Sequence, residues 1–302
     1  MRAGAGLATW LVRAIPLAWL TAFFLVPFAI VARISLSETA IAQPPYRPQL
    51  PSSLDGAAWR AFLDGLGVES YRVLFAEPLY RDAALASVAM AATATALLAL
   101  AGYPMALALA RAPRRWRPAL VGLVVLPFWT SFLVRIYAWI AILKEDGWLN
   151  GLLLGLRLTD APLALLDTNA AVLVGLVYGY LPFMVLPLYA VLDRQDPALR
   201  EAAADLGAGP AEVFATVTLP LSRPGLAAGC LLCFIPMLGE FVVPDLLGGS
   251  ETLMLGRQLW SEFFSNRDWP LASAVAVATL LLLVGPLLVL REIEARRPVL
   301  TR

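Results

Sequence analysis

Six apolar runs dominate this sequence, each close to the length at which a helix crosses a bilayer. Five are nearly continuous: Leu11–Val31, Ala83–Ala110, Ala119–Leu143, Ala170–Leu192 and Leu271–Leu290. The sixth, Gly225–Leu247, has the length but is interrupted by Pro236, Gly239, Glu240 and Pro244. A spanning helix needs about 20 apolar residues. In lipid every backbone N–H and C=O must be satisfied within the protein, so repeated runs of this kind demand helices. The expected fold class is therefore all-α, an integral membrane bundle of six transmembrane helices. Composition agrees: charged residues make up 15% of the chain and apolar residues 60%, whereas a soluble domain carries about a quarter charged residues. Arg2 and Arg13 give the first run a basic flank like that of a secretory signal. No small-x-small cleavage site precedes the next loop, so this run is expected to remain as a span.

Basic residues set the expected orientation. With the N-terminus inside, the inner set is Arg2, Arg13, Arg111, Arg114, Arg115, Arg117, Arg194, Arg200, Arg223, Arg291, Arg296, Arg297 and Arg302. The outer loops hold Arg47, Arg60, Arg72, Lys144, Arg157, Arg257 and Arg267. Thirteen against seven, with the densest group in the short Arg111–Arg117 loop, places both termini in the cytoplasm by the positive-inside rule. Acidic residues concentrate on the outer side and give that mouth a negative bias. The net charge of +1 gives no reason to expect nucleic-acid binding. With no histidine and only Cys230 and Cys233, both in the interrupted run, no metal site or imidazole chemistry is expected.

Four stretches follow from this reading: 1–34 with the first helix, an external loop over 35–80, a core over 81–291 and a tail over 292–302. The external loop opens with Pro44, Pro45, Pro48 and Pro51 and then offers Ala57–Phe75 for one or two short helices. Small residues Ala91, Ala92, Thr93, Ala94 and Ala96 suit the second span to close packing, and Gly102 and Pro104 suggest a kink near its inner end. Arg135 lies at membrane depth, where it is expected to snorkel, pair with a carboxylate or line a wet cavity. Leu149–Leu156 is too short to span and fits a surface helix.

The loop over 193–222 is the most informative stretch. Asp196-Pro197 opens a polar-bounded helix, Gly207–Gly209 makes a turn, and Pro210 starts a second short helix ending at Leu219-Pro220. Leu199, Ala203 and Leu206 share one face of the first, and Val213, Phe214 and Val217 belong to the second. Such a cytoplasmic helix–turn–helix is suited to docking into another protein. Glu201-Ala202-Ala203, then Gly207, then Leu219-Pro220, resembles the EAA loop of the inner-membrane subunits of binding-protein-dependent ABC importers. The resemblance implies the type I importer permease fold and a coupling helix seated in an ATPase cleft. It makes Glu201 the acidic contact, Ala202 and Ala203 the close-approach positions, Gly207 the turn and Pro220 the end of the docking element. No GxxxxGK[ST] nucleotide loop is present. The chain is expected to be non-catalytic and to bind no cofactor, with ATP and Mg2+ on two partner ATPase subunits.

Gly239–Gly249 and Leu255–Ala274 resemble the polyamine branch of the same family, especially its putrescine permeases. That resemblance implies a second, related permease subunit, an external polyamine-binding protein and a bacterial inner-membrane location; spermidine, another small organic solute and ferric iron remain alternative cargoes, and a non-transporting scaffold is the alternative outside the class. Putrescine carries two ammonium groups on an apolar stem, so a pathway needs carboxylates, carbonyls and aromatic faces. Glu240 is the leading candidate. Its broken surroundings are expected to expose carbonyls to a wet route. Asp245, Trp129, Tyr137, Trp139, Tyr178 and Tyr180 are further candidates.

Overall fold

The computed structural model describes residues 3–53 and 55–295. Arg2, Arg296, Arg297 and Arg302 of the expected inner basic set, with the tail beyond Ala295, lie outside the described residues. The chain divides into two compact units, one built from 1–82 with 258–302 and the other from 83–257.

In the first unit, α1 (Ala3–Leu20) runs through a π-helical turn at Thr21–Leu25 into α2 (Val26–Ile34). Along Val12–Ile34 no residue is buried, an apolar surface that only lipid or another apolar surface can cover. A two-stranded antiparallel ribbon follows, β1 (Glu38–Thr39) against β2 (Tyr46–Arg47), with Glu38 opposite Arg47. It is a small departure from the all-α expectation, set where closely spaced prolines favour extended backbone. Arg33 holds it to α2, donating to the Tyr46 hydroxyl at 2.9 Å with its guanidinium 5.2 Å from the ring centre. The two short helices anticipated in this loop are α3 (Gly56–Asp64) and α4 (Glu69–Ala76). The last helix, α15 (Trp269–Ala295), packs on α2 and α4. Asp268 starts it by accepting the Leu271 N–H at 3.0 Å, and also receives the Thr39 hydroxyl at 2.7 Å. Before it, buried Glu262 is satisfied by the Tyr80 hydroxyl at 2.9 Å and Asn266 at 2.8 Å.

The second unit takes up most of α5 (Pro78–Arg111), which passes Gly102 and Pro104 without a helical break. The third apolar run is not one rod. It forms α6 (Arg117–Val125), a 3-10 turn at Leu126–Trp129, α7 (Phe132–Leu143) and, after a tight turn, the expected surface helix α8 (Trp148–Gly155). Thr130 and Ser131 are extended between them, and the two arms meet at 87°. Pro127 removes a backbone donor just where the helix stops. Next come α9 (Asn169–Leu192), the short α10 (Pro197–Asp205) and α11 (Pro210–Val213), then α12 (Leu219–Leu238), α13 (Val242–Leu247) and α14 (Leu255–Trp260). By length and composition four helices cross a bilayer unaided: Val12–Ile34, Pro78–Arg111, Asn169–Leu192 and Pro210–Leu238. The bent pair Arg117–Trp129 and Phe132–Gly155 brings the count to five, and Trp269–Val284 is apolar but shorter. Against the six transmembrane helices expected, length and composition alone thus mark four or five candidate spans among the described residues.

Helix α9 is the axis of this unit. Val172, Leu176, Met184, Val185 and Leu188 are fully buried along it. Small residues let its neighbours approach. A Cβ on Gly102 of α5 would lie 2.8 Å from Met184 Cγ, and one on Gly229 of α12 would lie 2.8 Å from Met184 Sδ. One turn away, a Cβ on Gly225 would meet the Pro187 carbonyl at 2.9 Å. Ala91, Ala94 and Leu98 form the buried face of α5, the small-residue packing expected of helices that associate in lipid.

Gly102→Leu and Gly229→Leu should each lower stability by about 1–3 kcal/mol through overpacking against Met184. Gly122→Leu, at a position with open space around it, should leave it unchanged. Thermal unfolding of the detergent-purified protein reads the difference; equal behaviour of the three variants would refute the close-approach account.

Candidate functional site: a docking hairpin and a helix break

The hairpin over 193–222 is built by local rules. Asp196 caps α10, its carboxylate accepting the Ala198 N–H at 2.9 Å, and Pro197 occupies the first turn, where no N–H is needed. At the other end Gly207 takes φ +91. The Gly207 N–H reaches the Ala204 carbonyl at 2.9 Å and the Ala208 N–H reaches the Ala203 carbonyl at 3.1 Å. These two bonds make a Schellman motif, which needs a left-handed residue at that position. Glu201, Ala202 and Leu206 are exposed, Leu206 to 90%, while Ala203 is half-buried. Glu201 lines an open groove of about 490 Å³ with Arg111, Arg200, Ala204, Pro210 and Val213.

Pro220 does not end this element, contrary to expectation. Helix α11 continues through a π-helical turn at Phe214–Thr218 directly into α12, giving one 29-residue helix over Pro210–Leu238. The ring of a helical proline collides with the carbonyl four residues back. For Pro220 that carbonyl is on Thr216, inside the widened π turn, where room exists. Leu219 and Pro220 are half-buried within this rod.

The base of the hairpin is fastened to the bundle by contacts that the sequence did not disclose. Gln195 donates to the Thr218 carbonyl at 3.1 Å. Ser222 and the Tyr103 hydroxyl share a buried hydrogen bond of 2.7 Å, and the Tyr103 ring meets Phe214 edge-on at 5.5 Å. Arg117 pairs with Asp193 at the end of α9.

At its far end the long helix stops at Leu238, and the chain breaks over Gly239–Phe241 before α13. Glu240 sits in the break, half-buried. One carboxylate oxygen accepts the Val242 N–H at 3.0 Å and the other accepts the Tyr180 hydroxyl at 2.9 Å. Tyr180 adjoins Phe183 at 6.0 Å, Phe183 meets Phe128 edge-on at 5.2 Å, and the Arg135 guanidinium lies 4.9 Å from the Phe128 ring centre and 5.4 Å from that of Phe132. Arg135 is buried and neither snorkels nor pairs with a carboxylate among the described residues; its Nε and one terminal nitrogen have no hydrogen-bond partner. Cation–π contact with the two phenylalanines holds it instead.

The other candidates fall elsewhere. Trp139 and Tyr178 meet each other edge-on at 5.5 Å, apart from the Tyr180–Glu240 pair because residues two apart face different sides of a helix. Trp129 and Tyr137 are exposed. Asp245 pairs with Arg257 at 3.4 Å, and Arg257 also donates to the Gly249 carbonyl at 2.7 Å, so this pair pins the loop after α13. That loop returns to the break: a Cβ on Gly256 would lie 2.5 Å from the Gly239 carbonyl and would also strike the Glu240 carbonyl. Gly256 thus packs closely against the carbonyls expected to open onto a wet route. Cys230 and Cys233 are free, and the Cys233 thiol donates to the Tyr180 carbonyl at 3.6 Å.

A carboxylate thus sits at a helix break, one long helix away from an exposed hairpin. Comparison with known proteins identifies the family. Residues 99–296 match the family of binding-protein-dependent transport system inner membrane components. The chain is 40% identical to the spermidine/putrescine transport system permease protein PotB of Haemophilus influenzae, over 89% of this chain and 88% of that protein. It is 43% identical to PotB of Escherichia coli K12, over 70% of this chain and 77% of that one. Its fold matches a chain of a bacterial ABC transporter that imports alginate, with a TM-score of 0.68, 17% identity, and coverage of 98% and 99%. The expected helical ABC permease fold accords with that match, and relatives of this kind are non-catalytic permease subunits. This chain belongs to the family of binding-protein-dependent transport system inner membrane components.

Proposed function

We propose that the chain is one permease subunit of an ATP-driven polyamine importer in the bacterial inner membrane. Putrescine is the cargo to test first and spermidine the second. The observation that carries the reading is identity of 40–43% to permeases named for both solutes, together with a carboxylate held at the helix break by a neutral phenol rather than by a cation. An ammonium group of the cargo can replace the Tyr180 hydroxyl on Glu240, with the neighbouring ring available for cation–π contact. Asp245, already paired with Arg257, and the exposed Trp129 and Tyr137 are secondary pathway candidates, as is the Trp139–Tyr178 pair.

The proposed machine has six spans, counting the bent pair as one and α15 as the last, with both termini cytoplasmic. The core over 81–291 carries the coupling loop 193–222, flanked by the segments 1–34, 35–80 and 292–302. A second related permease completes the pathway, an external polyamine-binding protein delivers the cargo, and two ATPase subunits hold ATP and Mg2+. One ATPase receives the hairpin, with Glu201 as the polar contact, Ala202 and Ala203 beside it and Leu206 as an apolar anchor; Leu219 and Pro220 belong to the rod that carries the motion. At about 1.5 Å per residue the Pro210–Leu238 helix is roughly 43 Å long. ATP-driven closure then favours one access state by moving this helix as a body, a shift of population rather than a new contact at the cargo.

Uptake of labelled putrescine and spermidine by vesicles containing the complete importer, each against unlabelled competitors, tests the cargo. Transport of an anionic solute and of neither polyamine would sink the reading. Glu240→Gln should reduce polyamine uptake roughly tenfold to a hundredfold, the usual range for losing a charged hydrogen bond. Tyr180→Phe, which keeps both carboxylate and ring, should retain transport. Glu201→Lys with Gly207→Asp should abolish uptake-coupled ATP hydrolysis while leaving the protein in the membrane, and normal coupling in that variant would refute the docking assignment.

A further inference from the structure

Beside the docking hairpin lies a second feature whose chemistry transport does not use. A pocket of about 150 Å³ is lined by Arg111, Arg114, Arg117 and Arg200, with Asp193 as the one carboxylate in its wall. Asp193 is taken by Arg117, which also donates to the Ala112 carbonyl at 2.8 Å. Among the described residues no carboxylate lies within ion-pair distance of Arg111, Arg114 or Arg200. The pocket therefore gathers three uncompensated guanidinium groups on a fixed floor. Such planar forks match phosphate oxygens, and an ammonium would be repelled.

Its depth identifies the source of the phosphate. Two apolar spans end here, α5 at Arg111 and α9 at Leu192, and α6 begins here at Arg117. Leu107 and Ala110 of α5 and Leu192 of α9 complete the lining, so the pocket opens from apolar helix ends to polar loops. Trp116 is 55% exposed in the same loop, as interfacial tryptophans are. A group at this level meets phospholipid headgroups, and basic pockets between helix ends take anionic ones.

We propose that this pocket binds the phosphodiester headgroup of an anionic phospholipid. Arg111 and Arg200 face both this pocket and the groove lined by Glu201, so the bound headgroup steadies the root of the hairpin on the membrane surface. The proposal is independent of which solute is carried and of which side of the membrane the hairpin faces.

The test is retention of phosphatidylglycerol, against phosphatidylcholine, by the detergent-purified importer, read by native mass spectrometry. The intact protein should hold phosphatidylglycerol selectively. Arg111→Gln with Arg114→Gln should weaken retention roughly 25-fold, about fivefold for each guanidinium. Arg111→Lys with Arg114→Lys keeps the charge but loses the fork, should recover part of the binding, and checks that loss does not come from misfolding. Arg115→Gln is the control: its guanidinium lies 6.0 Å from the Trp116 ring centre and does not line the pocket. An equal loss in Arg115→Gln would show diffuse surface attraction and overturn the proposal. Displacement of the lipid by millimolar inorganic phosphate would reassign the pocket to a soluble anion. Unchanged lipid retention in the glutamine pair, with loss of ATPase co-purification, would make it a protein contact.

Discussion

The packing of the second unit turns on Met184. Its side chain lies between Gly102 of α5 and Gly229 of α12, each so close that a single added carbon would stand 2.8 Å from it. Between lipid and protein interior there is little hydrophobic difference to exploit, so helices associate through close van der Waals fit. Two glycines on opposite sides of one flexible thioether supply that fit. They also bring α12 near enough to α9 for the Pro187 carbonyl to face Gly225. Because cores repack in discrete steps rather than deforming continuously, a helix packed this closely suits the proposed role of α12 in passing on a push at the hairpin.

That rigidity has to survive the prolines, of which the chain has 23. Two of them show how. The π turn at Thr21–Leu25 precedes Pro27, and the π turn at Phe214–Thr218 precedes Pro220. In both cases the carbonyl that the ring would strike, on Phe23 or Thr216, lies inside the widened turn. Continuity is thereby kept where the docking hairpin meets the bundle. At the other end the chain does break, although Pro236 alone does not cause it, since α12 continues past that residue to Leu238. The stop comes where Gly256 presses on the Gly239 and Glu240 carbonyls and the Glu240 carboxylate takes the first N–H of α13.

Much of this was legible in the sequence, and the failures have physical causes. Asp196-Pro197 and Gly207 announced the start and stop of α10 because capping is local chemistry. The interruption at Gly239-Glu240 was equally plain, since a charge and a glycine inside an apolar run have few other meanings. Pro220 misled because a proline reads as a terminus unless the preceding turn widens, and nothing in Phe214–Thr218 signals a π turn. The third apolar run misled for the converse reason: hydropathy counts residues and is blind to an 87° bend. The partners of Arg135, Asp245 and Tyr180 were out of reach, because each is set by which helices lie side by side. Arg135 shows the limit best: of snorkelling, a carboxylate partner and a wet cavity, none foretold the faces of Phe128 and Phe132 that hold it.

That replacement matters for the proposed pathway. An ion pair between Arg135 and Glu240 would neutralise the carboxylate and leave an incoming ammonium to compete with a guanidinium. With Arg135 held on aromatic faces and Glu240 on a phenol and a backbone N–H, the competitor is neutral. Hydrogen bonds to charged groups contribute about 1.5–3 kcal/mol, enough to favour entry of one ammonium and too little to trap it. Conduction needs that balance, since a site that binds too well does not release. It also bounds what this subunit does alone. On this reading one available carboxylate engages one end of a dicationic solute, and the other end requires an acceptor from the opposite side of the pathway, which is where a second permease subunit would stand.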